Sequence, residues 1–126
     1  MSSINIEETR DTAAKATQLP EPKGYRVLCL VPNVEEKFND TIIKPEAFVK
    51  AEEHSTVVLF VLKLGPDAYK DATRFPSGAY CKEGDFVLTR AYAGTRLKIH
   101  GQEFRILNDD TIEAVVQDPR GITRAG

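Results

Sequence analysis

The chain has 126 residues, room for one ordinary domain, and its 41% apolar content supports a modest core. A formal net charge of -2 with no local cluster of Lys and Arg argues against nucleic acid or an anionic membrane as partner. The longest apolar run, VVLFVL at 57–62, is far too short for a bilayer, and two cysteines without an export signal point to reduced thiols in a cytosol.

Residues 1–22 are small, polar and acidic at first, and Pro20 and Pro22 end them. A short helix over 7–15 is open to this stretch, but nothing gives it a broad apolar face, so a flexible N-terminal tail is expected. Residues 25–31, YRVLCLV, predict a strand. Tyr25, Val27, Cys29 and Val31 fall on one face and Leu28 and Leu30 on the other, as in a barrel wall covered on its outside.

The stretch 34–56, VEEKFNDTIIKPEAFVKAEEHST, is long for a connection. Most of it is charged or small, yet Ile42 and Ile43 stand together near its middle, with Phe38 just before them. A polar arm with an apolar tip suits docking into a partner. A surface hairpin whose isoleucines fold back, or a short helix over 45–53, fits the same residues, and the arm alone does not choose.

A second strand, TVVLFVLKLG, follows, and Gly65-Pro66-Asp67 turns it. Residues 68–80 form an irregular excursion that Phe75 and Tyr80 should pin down. The last third is a meander of short strands at 86–90, 95–100, 102–107 and 111–116, separated by turns at Gly84, Gly94, Gly101 and 108–110. Leu97 and Ile99 alternate with charged residues, and Phe104 and Ile106 point inward. Residues 118–126 read as a loose C-terminal tail. The sum is an all-β chain: a small, partly open β-barrel over residues 23–117.

The first and last strands are apolar, uncharged at their centres and free of Pro, a pattern that monomers avoid at sheet edges. This predicts exchange between copies, with Tyr25, Val27 and Leu28 of one meeting Ile112, Ala114 and Val115 of the next, closing a ring.

Chemistry is thin. His54 and His100 lack a ligand cluster, Cys29 reads as a buried small hydrophobe, and Cys81 beside Lys82 as an accessible thiol. Glu35-Glu36 and Asp109-Asp110 read as surface or turn pairs rather than acid–base partners. No glycine-rich phosphate cradle is present. No catalytic residue, metal or cofactor is expected, and the protein is not expected to be an enzyme.

The order of features resembles the chaperonin-10 family, the GroES-like co-chaperonins that cap a large chaperonin ring. Lys82-Glu83-Gly84-Asp85-Phe86-Val87 resembles the family's Gly-Asp-apolar-Val strand entry. Tyr92-Ala93-Gly94-Thr95-Arg96-Leu97-Lys98-Ile99 resembles its Tyr-Gly-Gly strand. Glu103-Phe104-Arg105-Ile106-Leu107 and Asp110-Thr111-Ile112-Glu113-Ala114 resemble its closing pair, and Gly24-Tyr25-Arg26-Val27-Leu28 its opening strand.

The resemblance implies a mobile loop at about 35–55, with Thr41, Ile42 and Ile43 as the chaperonin-binding tripeptide. Family members usually carry Gly-Gly or Ser-Gly before three apolar residues, whereas here Asn39-Asp40 precedes Thr41 and two apolar residues. It further implies a roof segment at about 66–82 holding Phe75 and Tyr80. The implied partners are further copies in a homo-oligomeric ring, seven-membered by resemblance, and a GroEL-like chaperonin in its ATP-bound state, in a bacterial cytoplasm. The divergent tip and roof and the N-terminal tail are similar to co-chaperonins carried by bacteriophages, which would place it in an infected host. The rival reading is a phage capsid or tail β-barrel without chaperonin binding. A single-stranded nucleic-acid barrel needs more than Tyr92, Arg96 and Lys98.

Overall fold

The computed structural model describes residues 2–15, 19–32, 34–38, 41–43 and 57–125. In chain order these form β1 (Ser2–Ile4), α1 (Ile6–Lys15), β2 (Arg26–Leu30), β3 (Val34–Phe38), β4 (Thr41–Ile43), β5 (Val58–Leu64), β6 (Phe86–Leu88), β7 (Thr95–Ile99), β8 (Gln102–Asn108), a 3-10 turn (Asp109–Thr111) and β9 (Ala114–Val116). Six strands make one antiparallel sheet in the order β7-β8-β2-β5-β6-β9, and β1-β3-β4 make a second, smaller sheet. The large sheet leaves β7 and β9 as its two edges, so the chain is the expected all-β, partly open barrel.

The predicted first strand turns out to be the middle of that sheet. β2 pairs on one side with β8, from Arg26↔Asn108 to Leu30↔Phe104, and on the other with β5, from Val27↔Leu64 to Leu30↔Phe60. A register shift opposite Leu28 and Cys29 leaves Leu62 as the extra residue, and the bulge returns Leu64 to the side of Leu59 and Val61.

Both faces of β2 are apolar because both are covered. Val27, Cys29 and Val31 join Leu59, Val61, Val87 and Leu107 under the excursion residues Ala68, Tyr69, Phe75 and Cys81. On the opposite face Leu28 and Leu30 join Val58, Phe60, Phe86 and Phe104 under Ile4, with Ile6, Ala13 and Leu19 packed around them. Each large side chain so buried contributes about 1.5–3 kcal/mol of transfer energy.

Residues 2–15, expected as a loose tail, supply that second cover. Asn5 starts the helix: its side-chain oxygen accepts from the Glu8 N–H at 2.8 Å, satisfying one of the free donors of the first turn. Glu7 and Glu8 in that turn suit the positive end of the helix dipole. Ile6, Thr9 and Ala13 recur at intervals of three and four and form a narrow face, with Thr9 buried and its hydroxyl donating to the Asn5 carbonyl at 2.7 Å. The face is small, but it needs only to cover the gap left by Leu28 and Leu30.

The meander turns are built as the sequence implies. Ile99 faces Gln102, so His100-Gly101 is a two-residue connection, and both have positive φ (49° and 82°), as a hairpin turn of matching twist demands. Gly94 has φ 80°, and a Cβ there would lie 2.5 Å from the Ile106 carbonyl oxygen. On β8, Phe104 and Ile106 enter the second cluster as expected, whereas alternation puts Glu103 and Arg105 on the other side. These two are buried as an ion pair at 3.3 Å, and Arg105 also donates to the Ala91 carbonyl. Burial pushes the Arg105 guanidinium down from its ordinary value, and Glu103 works against that shift.

Candidate functional site

Three surfaces carry the sequence expectations for function: the long arm, the excursion, and the sheet edges. In the arm, the backbone of 34–38 and 41–43 forms an antiparallel hairpin with register Glu36↔Ile43, Lys37↔Ile42 and Phe38↔Thr41. Asn39 and Asp40, between the paired Phe38 and Thr41, lie outside the described residues. Thr41, Ile42 and Ile43 constitute the whole of β4, the outer strand of the small sheet. Among the described residues β4 pairs only with β3, which presents a free strand edge beside the predicted docking tripeptide. The rest of the arm, 44–56 with His54, lies outside the described residues.

The excursion at 66–82 is a chain of turns without strands. Asp71 organises it: its side chain accepts from the Thr73 N–H at 2.9 Å, and its carbonyl from the Phe75 N–H at 2.9 Å. Phe75 (4% exposed) enters the core, and Tyr80 (46% exposed) lies over it with ring centres 5.0 Å apart and edge-on geometry. Tyr69 completes the cluster, 4.9 Å from Phe75 and 5.4 Å from Tyr80. Phe75 and Tyr80 thus pin the excursion as the sequence suggested.

A second fastening was missed. Asp109, read as a turn or surface residue, is fully buried. Its carboxylate accepts from the Tyr69 N–H at 3.1 Å and from Arg74 Nη2 at 3.2 Å, and its carbonyl accepts from the Tyr69 hydroxyl at 2.8 Å. Arg74 also reaches Asp110 at 3.2 Å and lies over the rings of Phe75 and Tyr25, at 4.9 and 5.5 Å. The Asp-Asp dipeptide carried no signal for this, because its partners stand 35 and 40 residues earlier.

The edge expectation needs correction. Both sides of β2 are taken within the chain, so 25–31 cannot pair with a neighbouring copy. Val27 and Leu28 are fully buried and Ile112 is 3% exposed in the first core, so these three offer no surface. Tyr25 is 40% exposed, and β9 is a true edge on which Ala114 and Val115 are exposed.

Cys29 is buried as expected, but so is Cys81, and both are free thiols. Burial pushes both thiols up from their ordinary value, with Cys81 held 3.5 Å from the Tyr69 hydroxyl. Tyr69 is likewise raised, first by burial and then by Cys81. Such groups pack and do not react. Among the described residues no cluster of His, Cys, Asp and Glu is placed to hold a metal. A surface cleft of about 260 Å³ by Arg96, Leu97, Lys98 and Glu103 contains no nucleophile with a base, and Glu103 is already bound to Arg105.

The architecture is a small, partly open antiparallel barrel with a second three-stranded sheet and an excursion built of turns. The chain belongs to the chaperonin 10 Kd subunit (Cpn10) family, which it matches over residues 21–116. It is 34% identical over 97 residues to the co-chaperonin GroES of Clostridium beijerinckii, covering 77% of this chain and 97% of that one. It is 33% identical over 97 residues to that of Methylacidiphilum infernorum (76% and 92% covered) and 29% over 97 to that of Caldicellulosiruptor saccharolyticus (77% and 96%). The family is non-catalytic, and this chain is not an enzyme. Residues before 21, which include β1 and α1, lie outside the family match.

Proposed function

We propose that the protein is a co-chaperonin: a ring of copies docks its hairpins on a large GroEL-like chaperonin loaded with ATP and closes a chamber in which substrate proteins fold. The observation that carries this reading is the hairpin itself. It falls inside the family match, and its outer strand is the tripeptide Thr41-Ile42-Ile43. Copies join through the open edge of β9, with Ala114 and Val115 on it and Tyr25 as a further exposed contact. Seven copies is the family-based expectation. The excursion with Phe75 and Tyr80 forms the top of the lid.

Magnitudes favour weak individual docking. Two isoleucines fully buried supply about 3–6 kcal/mol of gross transfer energy per hairpin. Ordering a free arm of this length costs more than that, at about 1 kcal/mol or more per residue. Binding therefore draws on several hairpins at once, and weak single contacts let nucleotide hydrolysis release the lid. The finer reading, a bacteriophage-encoded member acting in a host cytoplasm, draws on the segment outside the family match and on the polar Thr41 in the tripeptide.

Electron microscopy and sedimentation of the protein, alone and with a GroEL-type chaperonin plus ATP, test the proposal. A capped complex that depends on nucleotide is expected. Ile42→Ser with Ile43→Ser should leave the ring intact and abolish the cap. Undiminished capping by that variant would sink the hairpin assignment.

A further inference from the structure

We infer that residues 2–15 are a brace that orders the docking hairpin, with Ile4 as its positioning residue; the inference rests on the docking role proposed above. β1 lies against β3 in the register Ser2↔Glu36, Ser3↔Glu35 and Ile4↔Val34, so β3 sits between β1 and β4. β1 is thus the third strand of the hairpin. An isolated two-stranded hairpin is marginal in water, and a third strand tied to an apolar surface is what makes such a unit persist.

The tie is Ile4. It is 6% exposed and enters the same cluster as Leu28, Leu30, Phe60 and Phe104 on the second face of the large sheet. One residue later the helix begins, capped by Asn5, and Ile6 and Ala13 pack on the same cluster. The hairpin base is therefore held twice. On one side the chain itself leaves β2 only a few residues before β3, and on the other β1 is fastened to the sheet through Ile4.

A segment ordered before binding loses less conformational entropy on docking, and apparent affinity scales with the fraction already competent. The brace raises that fraction for the part of the arm next to the barrel. It lies wholly outside the residues that match the family, so it is an addition to the shared barrel and not a part of it.

The test uses the full chain with Ile4→Ser and, as its conservative control, Ile4→Val. Amide hydrogen exchange of the free protein reads the brace, and ATP-dependent binding to a GroEL-type chaperonin reads its consequence. For Ile4→Ser, exchange at 34–38 should quicken about ten-fold or more while protection in β2, β5 and β8 stays unchanged. Chaperonin binding should weaken by about ten-fold. Ile4→Val should restore both.

Unaltered exchange at 34–38 overturns the brace. Faster exchange with unaltered or tighter binding overturns its role in docking. If the unmodified protein itself fails to bind any chaperonin, the proposed function falls and the docking consequence with it. The exchange result still decides whether β1 orders the hairpin.

Discussion

Asp109→Ala isolates the fastening between the excursion and the barrel. The substitution removes the acceptor of the buried Tyr69 N–H, which costs about 1–3 kcal/mol for a donor left without a partner. It also removes one of two carboxylates on Arg74. That side chain is 39% exposed and keeps Asp110 at 3.2 Å, so this loss adds only about 0–1 kcal/mol. The total of about 1–4 kcal/mol corresponds to a fall in Tm of about 4–16 °C for a chain of this size. Asp109→Asn keeps an oxygen for the Tyr69 N–H and should lose less than half of that. Thermal unfolding by circular dichroism at fixed protomer concentration measures the shift, since assembly makes Tm concentration-dependent. Amide exchange locates it, and extra opening should concentrate at 66–82. A Tm within about 2 °C of the parent, or loosening spread evenly over β2, β5 and β8, would refute the fastening.

Three further outcomes follow from the same structure. Val115→Lys places a charge on the exposed edge strand β9 and should leave the fold intact while dissociating the ring in sedimentation velocity; an unchanged ring mass would remove β9 from the interface. Cys29 and Cys81 should resist iodoacetamide at pH 8 until denaturant is added, because both are buried with thiols pushed up by desolvation. Rapid labelling of either in the native protein would contradict that burial. Asp118 is lowered to about 2 by the hydrogen bonds from Arg120, at 2.9 Å from both Nε and Nη2. A carboxylate depressed in the fold favours folding above its unfolded value of 3.8, and that contribution disappears as pH falls towards 2. An NMR titration should show the low midpoint, and Arg120→Ala should return it towards 3.8.

Strand positions were legible because alternation and glycine turns are local signals. The predicted strands at 25–31, 57–64, 95–100 and 102–107 each shift by a residue or so at an end, to Arg26–Leu30, Val58–Leu64, Thr95–Ile99 and Gln102–Asn108, whereas 86–90 shortens to Phe86–Leu88 and 111–116 to Ala114–Val116 behind the 3-10 turn Asp109–Thr111. Strand order was not legible. An apolar, uncharged strand reads as an exposed edge seeking a partner, but the same pattern describes a central strand covered on both faces. The charged strand TRLKI stands at one edge, where Arg96 and Lys98 discourage stray pairing, and the apolar β9 stands at the other. The N-terminal helix looked unable to pack because Ile6, Thr9 and Ala13 make a narrow face. Its size is judged only against the patch it covers, and that patch comes from strands far along the chain. The proposal of Thr41, Ile42 and Ile43 as a docking tripeptide rests on their place in the arm and on family resemblance; their membership of a three-stranded sheet with Ser2–Ile4 depends on a pairing some thirty residues long, which no local pattern announces.

The central position of β2 also sets the order in which this protein can be made. Its two leucines are translated early, yet their partners Phe104 and Ile106 on β8 leave the ribosome only when more than three quarters of the chain has been synthesised. Through that interval β2 has only β5 beside it, with its other edge open and its two apolar faces partly bare. Contacts so distant in sequence form slowly, and exposed apolar edges invite misassociation before they do. The nascent chain thus passes through the kind of aggregation-prone state that a folding chamber exists to shelter.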